Sequence, residues 1–263
     1  MLLAIDVGNS NIVLGVFDGD RLAESWRLVT MRERTADELG ILVTHLFERS
    51  RLDLARVDGI ILSSVVPPLT RSLEEMCERY FDKRPLTVDP ASNTGMPVLY
   101  QPPSDVGADR VVNGVAAYER FGRVNRTPVI VVDFGTATTF DAISKSGEYL
   151  GGVICPGIGI SADALFQRAA RLPRVDVRKP PAVIGQTTVT SMQSGLFFGY
   201  VSMVDGIVHR IRLELEAGDR ATCVATGGMA DVLAGETTAI QHVEPDVTLH
   251  GLQMIWARQA SLR

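Results

Sequence analysis

Lysine is nearly missing from this 263-residue chain: it occurs only at 83, 145 and 179, although lysine and arginine together number 26. None of the three follows a glycine-rich loop, so the P-loop pattern G-x-x-x-x-G-K-[ST] is absent. If the chain handles ATP, it does so without the commonest phosphate cradle. Cysteine is as scarce. Cys77, Cys155 and Cys223 are far apart and odd in number, which fits buried thiols in a reducing compartment better than a disulfide framework or a zinc site. The four histidines, His45, His209, His242 and His250, form no metal-spaced pair. No G-x-S-x-G elbow occurs, and no cysteine has a plausible histidine partner. Long apolar runs are missing too: "GIILSSVVPPL" and "TPVIVVDFG" have strand length with polar interruptions, so no membrane span is expected. No basic segment with an apolar stretch opens the sequence, so a secretory signal is not expected either. The net charge of −5 carries no basic block, which argues against nucleic acid as the main partner. These absences describe a soluble, cytoplasmic globular protein.

What is present is apolar content of 46%, enough for one large domain or two modest ones. The chain also repeats itself. "LLAIDVGNSNIVLGVFDGDRLAESWRL" and "VIVVDFGTATTFDAISKSGEYLGGVIC" each give an apolar strand, Asp-x-Gly with small polar residues, a second strand, a turn and a third strand. The aspartates are Asp6 and Asp133. Alone, "DVGNS" reads as a β-hairpin turn, since Asp, Gly and Asn are turn residues. Two such meanders half a chain apart suggest a duplicated domain whose halves face one cleft.

The remainder alternates helix and strand. "RTADELGILVTHLFERS" opens on a capping box, Thr35 with Glu38, and places Leu39, Leu42, Val43, Leu46 and Phe47 on one face. "VDGIILSSVV" reads as a strand, Leu69 to Phe81 as a helix, and "RPLTVD" as a strand. "DRVVNGVAAYERFG" is helical and closes the first half; "GRVNRT" is the expected hinge. In the second half "SADALFQRAARL" and "TTVTSMQSGLFFGYVSMVDGIVHRIRLELE" are helical. "RATCVATGG" is a strand, and "TLHGLQMIWARQAS" is a final helix. This gives α/β layers with mixed sheets, divided at residues 1–122 and 123–263. "RLPRVDVRKPPAVIG" is the one long irregular stretch, a surface connection or a wall of the site. Trp26, Trp256, Met192, Met203, Phe197 and Phe198 read as core or interface residues.

Three pieces could hold a nucleotide. At Asp6 to Asn11 a tight turn offers backbone N–H groups and small side chains to anionic oxygens. Asp6 would repel phosphate directly, but it can hold Mg²⁺, a hard cation content with one or two carboxylates plus water and phosphate. Asp133 to Thr139 is the same device with hydroxyls. The strand ending at Gly227-Gly228 lets backbone approach a base or sugar. A rival motif, "GIGISA" at Gly157 to Ala162, matches G-x-G-x-x-[GA]. Its acidic partner, Asp176, closes no strand, and the motif follows a meander where a βαβ unit is needed. Those glycines more plausibly shape a tight turn beside the cleft.

The order of the three pieces resembles the actin-like ATPase and sugar kinase superfamily, whose duplicated ribonuclease-H-like halves hold a nucleotide in the interdomain cleft. Within it the chain resembles the type III pantothenate kinases nearly end to end. The matching segments are "DVGNSNIVLGVF" at 6–17, "PPSDVGADRVVN" at 102–113, "DFGTATTFD" at 133–141, "YLGGVICPGIGISADALFQRAARLP" at 149–173, "IGQTTVTSMQSG" at 184–195 and "TGG" at 226–228. One departure is Gln186-Thr187, where the family usually shows a basic residue and asparagine; Thr188 keeps its threonine.

The resemblance implies ATP-dependent phosphorylation of pantothenate, the first step of coenzyme A biosynthesis. It makes Asp109 the general base and gives the pantothenate chain to Tyr100 and to Gly107, Ala108, Asp109 and Arg110. Thr188 would contact the same substrate, from the partner subunit of a homodimer. ATP phosphates with Mg²⁺ would lie at Asp6, Val7, Gly8, Asn9, Ser10, Asn11, Ile12 and Val13, with Thr136 also on ATP. Asp133 would bind a monovalent cation, K⁺ or ammonium. Read from position alone, Asp109 is equally an N-cap or an ionised carboxylate held by a helix N-terminus beside Arg110. Two other functions compete: a non-catalytic kinase-like regulatory factor, and a kinase with a different, sugar-type substrate. The intact set Asp6, Asn9, Asp109, Arg110, Asp133, Thr136 and Thr188 favours the enzyme.

Overall fold

The computed structural model describes residues 1–91 and 93–260. Its first apolar run is β1 (Leu2–Val7), followed by β2 (Asn11–Asp18) and β3 (Arg21–Val29) in an antiparallel meander. Two further strands, β4 (Gly59–Ser64) and β5 (Leu86–Thr87), add in parallel on the other side of β1, giving the order β3-β2-β1-β4-β5. β1 is central and nearly unbroken in apolar sequence because both of its faces are covered.

One face carries α1 (Ala36–Arg49) and α2 (Pro67–Phe81). The capping box starts α1 as its sequence predicts: Thr35 N donates to Glu38 Oε2 at 2.8 Å, and Glu38 N donates to Thr35 Oγ1 at 3.3 Å. Leu39, Val43 and Phe47 of α1 and Leu69, Leu73 and Met76 of α2 then join Leu3, Ile5, Val7 and Leu14 in one core. Trp26 packs its ring against Phe47 within this core. α3 (Ala108–Ala117) follows and runs into a π-helical turn, Tyr118–Gly122.

The second sheet repeats the first. β6 (Val129–Phe134), β7 (Ala137–Ile143) and β8 (Tyr149–Pro156) form an antiparallel meander. β9 (Thr222–Gly227) and β10 (His242–Val243) add in parallel, in the order β10-β9-β6-β7-β8. Between the meander and β9 come α4 (Ile158–Arg168) and the long α5 (Thr188–Glu214); α6 (Ala230–Ala234) is one short turn after β9. Leu196, Phe197, Val204 and Val208 of α5 bury against Ile130, Val132 and Phe134 of β6. The irregular stretch 169–187 is tied to α5 by its backbone: Gln193 Nε2 donates to the Asp176 carbonyl at 3.1 Å, and Ser194 Oγ to the Val183 carbonyl.

The last helix, α7 (Val247–Ala260), packs on the first sheet. The chain forms two compact units, Met1–Ala116 with the segment from Asp246 onward, and Ala117–Pro245. The two halves expected from sequence, 1–122 and 123–263, put this helix elsewhere. Small residues explain its place: the Trp256 ring lies where a Cβ on Gly59 would be, 2.1 Å from the indole. A Cβ on Gly251 would sit 2.2 Å from the Val112 carbonyl oxygen, so α7 and α3 meet backbone to backbone. Thr248 Oγ1 donates to Asn113 Oδ1 at 2.7 Å, and Leu252 and Ile255 are fully buried.

Because a carbonyl oxygen cannot rotate aside as a side chain does, Gly251→Ala should force α7 away from α3. Overpacking of this kind costs about 1–3 kcal/mol. A lowered urea midpoint is expected, and an unchanged one would mean that the helix pair has slack the packing does not show.

Candidate functional site

Asp6 lies one residue before the end of β1, where its neighbours differ in direction. It is in register with Val13 of antiparallel β2 and with Ser63 of parallel β4. The chain then turns tightly, Gly8 N donating to the Asn11 carbonyl at 2.9 Å. Asn9 and Ser10 are exposed at the tip, whereas Val7 and Ile12 are fully buried in the core. The segment after β3 closes over this turn: Thr30 N donates to the Ser10 carbonyl at 3.0 Å, and Thr30 Oγ1 to the Gly8 carbonyl at 2.7 Å.

The second unit builds the twin. Asp133 is in register with Thr139 of β7 and Thr226 of β9, positions equivalent to Val13 and Ser63. Its turn is tighter, with Gly135 N donating to the Ala137 carbonyl at 3.1 Å. Thr136 is exposed at the tip. Two glycines allow the turn to be this close. Gly227 has φ +91°, and a Cβ there would lie 2.6 Å from Asp133 Oδ1 and from the Phe134 backbone. A Cβ on Gly157 would meet the Thr136 carbonyl oxygen at 2.1 Å. The "GIGISA" glycine thus seats the loop at the start of α4 against the Asp133 turn. It follows an antiparallel edge strand, which is not where a dinucleotide fingerprint works.

Asp109 sits inside the first turn of α3, not ahead of it. Its Oδ1 accepts from Arg110 N at 2.9 Å. A Cβ on Gly107 would lie 2.5 Å from the same oxygen, so the missing side chain leaves the carboxylate its place. Position alone suggested that the helix terminus keeps Asp109 ionised. The structure reverses the balance: burial pushes its carboxyl above the ordinary aspartate value, and Arg110, through its backbone N–H and its charge, only partly offsets this. A terminal dipole is worth about 0.3–1 kcal/mol, and lost hydration outweighs it here. Tyr100 is half-buried in the segment before α3. Thr188 is the exposed first residue of α5, just after Thr187, whose hydroxyl caps Thr190 N at 3.2 Å.

Among the described residues no group of three or more His, Cys, Asp or Glu converges on a metal-sized space. Each turn offers one carboxylate, a donor set that suits a cation taking its other ligands from water and phosphate, as Mg²⁺ does. The thiols offer nothing softer: burial pushes Cys77 and Cys223 each up to about 12. Sequence reasoning missed Ser63. It is fully buried and its Oγ has no hydrogen-bond partner, beside Asp6 in register. The repeat itself held the signal, since "IILSS" and "CVATG" are the equivalent parallel strands.

Comparison with known proteins adds the following. A family model described as type III pantothenate kinase matches residues 2–210. A protein of Myxococcus xanthus named type III pantothenate kinase is 57% identical over 258 residues, covering 98% of each chain. Among solved structures, a protein of Campylobacter jejuni titled a Baf family transcriptional activator superposes with TM-score 0.62 at 19% identity, covering 98% of this chain and 99% of that one. The polyphosphate/ATP-glucomannokinase of Arthrobacter sp. strain KM does so with TM-score 0.53 at 16% identity, covering 98% of both. At those identities the structural likeness establishes the fold, which is that of the sugar kinases.

An unpartnered buried hydroxyl costs about 1–3 kcal/mol of desolvation that no bond returns. Ser63→Ala should therefore leave the thermal midpoint of the ligand-free protein unchanged or raised. A clearly lowered midpoint would show that the hydroxyl has a structural partner.

Proposed function

The chain belongs to the type III pantothenate kinase family, and we propose that it transfers the γ-phosphoryl group of ATP to the terminal hydroxyl of pantothenate, releasing ADP and 4′-phosphopantothenate. The observation that carries this reading is the near full-length identity to a relative of that name, in a chain that retains a carboxylate at Asp6, Asp109 and Asp133. An oxygen–phosphorus bond forms to the substrate hydroxyl, the bond from the γ-phosphorus to the ADP oxygen breaks, and the hydroxyl proton goes to the Asp109 carboxylate. A raised carboxyl serves this well, because a general base is most effective when its affinity for protons approaches the working pH.

The remaining assignments are those the family resemblance implies. Tyr100, Gly107, Ala108 and Arg110 hold pantothenate with Asp109. Asp6 to Val13 form the turn that holds the ATP phosphates, with Asn9 and Ser10 exposed at its tip, and Thr136 also meets ATP. Asp6 would hold Mg²⁺, which would supply neutralisation of phosphate charge, and Asp133 would hold K⁺ or ammonium. Thr188 reaches the substrate of a partner subunit in a homodimer. Support for self-association comes from the open apolar cavity of about 450 Å³ along α4 and α5, lined by Leu165, Met192, Gly195, Gly199 and Met203. The reading places the enzyme in the cytoplasm. No described helix is long and apolar enough to cross a membrane. A non-catalytic regulatory role is not favoured, since no residue of the catalytic set is substituted.

Purified protein with ATP, Mg²⁺, K⁺ and pantothenate should release ADP, and no turnover with either K⁺ or ammonium would sink the reading. Asp109→Asn should remove turnover while leaving ATP binding and the melting temperature near those of the parent. Because Asp109 acts ionised and its carboxyl is raised, kcat/KM should fall as pH drops through a midpoint above the ordinary aspartate value of about 3.9. An acid limb at or below that value would argue against the base assignment. At fixed Na⁺, activity should rise with added K⁺; a flat titration removes the cation from Asp133.

A further inference from the structure

Phosphoryl transfer is mostly positioning plus neutralisation of charge on the phosphate oxygens, and nucleotide sites supply a lysine or arginine for it alongside the metal. Neither turn contains one. "DVGNSNIV" and "DFGTATT" have no basic residue, and the lysines at 83, 145 and 179 belong to other segments. The first unit nevertheless brings one guanidinium group, that of Arg32, to its turn, with a second arginine, Arg34, two residues further on. β2 and β3 pair with Asn11 opposite Val29, so the chain leaving β3 starts beside the turn. The two Thr30 hydrogen bonds to the Ser10 and Gly8 carbonyls then staple the start of the segment that carries Arg32 to the turn.

On that stapled segment Arg32 is exposed, and its Nη2 lies 3.5 Å from Asn9 Oδ1, at the tip of the turn. No carboxylate lies within 4 Å of the Arg32 or Arg34 guanidinium among the described residues. Glu33, between them, forms no ion pair with either. Glu38, whose charge is near Arg34, spends Oε2 on the Thr35 cap. Arg34 keeps Nη2 against Met31 Sδ at 3.4 Å, and its Nη1 is buried with no hydrogen-bond partner. Arg32, with no carboxylate in reach, sets an electropositive fork beside the tip of the turn, and its planar N–H groups suit phosphate oxygens; Arg34, two residues on, shares its field with Glu38.

We propose that Arg32, backed by Arg34, is the protein's own cation for the terminal phosphates of the bound nucleotide. This rests on the reading of Asp6 to Val13 as the ATP turn. The Asn9 amide oxygen, now a distant partner of Arg32, orients the fork; phosphate oxygens then take its remaining N–H groups. The role places Arg32 where the β- and γ-phosphates lie, so its effect depends on the number of phosphates and not on the adenosine.

The test is calorimetric binding of ATP, ADP and AMP to the parent, Arg32→Gln, Arg32→Lys and Arg34→Gln, with melting temperatures as a check on folding. Arg32 is exposed, so its variants should melt with the parent. Arg32→Gln should weaken ATP about tenfold or more, ADP less, and AMP less than twofold, with a shallower salt dependence of ATP binding; Arg32→Lys should recover part of the loss. Arg34→Gln should shift ATP in the same direction by less. Equal binding of ATP by Arg32→Gln and the parent overturns the proposal, as does an equal loss for AMP, or a change confined to the KM for pantothenate. A parent that binds ATP but does not phosphorylate pantothenate would undo the functional reading alone, and the ATP-to-AMP ratio would still decide this one. A parent that binds no ATP overturns both.

Discussion

Everything in this chain hangs on a strand that must be buried and yet end in charge. β1 and β6 each lie between an antiparallel and a parallel neighbour, covered on both faces. At their carboxyl ends the neighbours diverge: one continues from a tight turn, the other leaves for a helix. Beyond that point the ladder ends, and a side chain can face an opening instead of a core. Open α/β sheets bind ligands at such switch points. Asp6 and Asp133 occupy them, and a carboxylate one or two residues earlier would be enclosed in apolar packing at a large desolvation cost.

The repeat was legible because it is local. Meanders, turns and the capping box of α1 are written in consecutive residues, and the structure reproduces each of them. What the sequence could not express was partnership across distance. The apolar face of α7 reads identically whichever sheet receives it; the deciding features are Gly59 and Gly251, far apart in the chain. Ser63 was invisible for the same reason. Nothing in "ILSSVV" says which serine faces Asp6 until the parallel register is known. The raised carboxyl of Asp109 shows a third limit, since a position in a helix is readable whereas depth in the protein is not.

The two turns are not copies in detail. The first leaves three residues between its strands and the second leaves two. The longer one offers amides and a serine at its tip, Asn9, Ser10 and Asn11, and it is the one whose tip meets a guanidinium, that of Arg32. The shorter one offers hydroxyls, is pressed from behind by Gly157 and Gly227, and has no basic residue of its own. Tightness buys rigidity at the cost of room.

That asymmetry bears on where a cation for the phosphates can stand. A P-loop lysine reaches phosphate from the loop that also wraps it, so one segment supplies both donors and charge. In this chain the turn itself carries no cationic side chain; its exposed tip residues are Asn9 and Ser10. The charge must come from a neighbouring segment, across the width of the turn, and be aimed on arrival. A guanidinium suits that task, because its flat fork can rest one N–H on Asn9 while the others remain directed outward. An ammonium at the same distance would hold its charge but not its direction. On this view the position of the cation, and with it the residue type, follows from an Asp-x-Gly turn that carries no cation of its own.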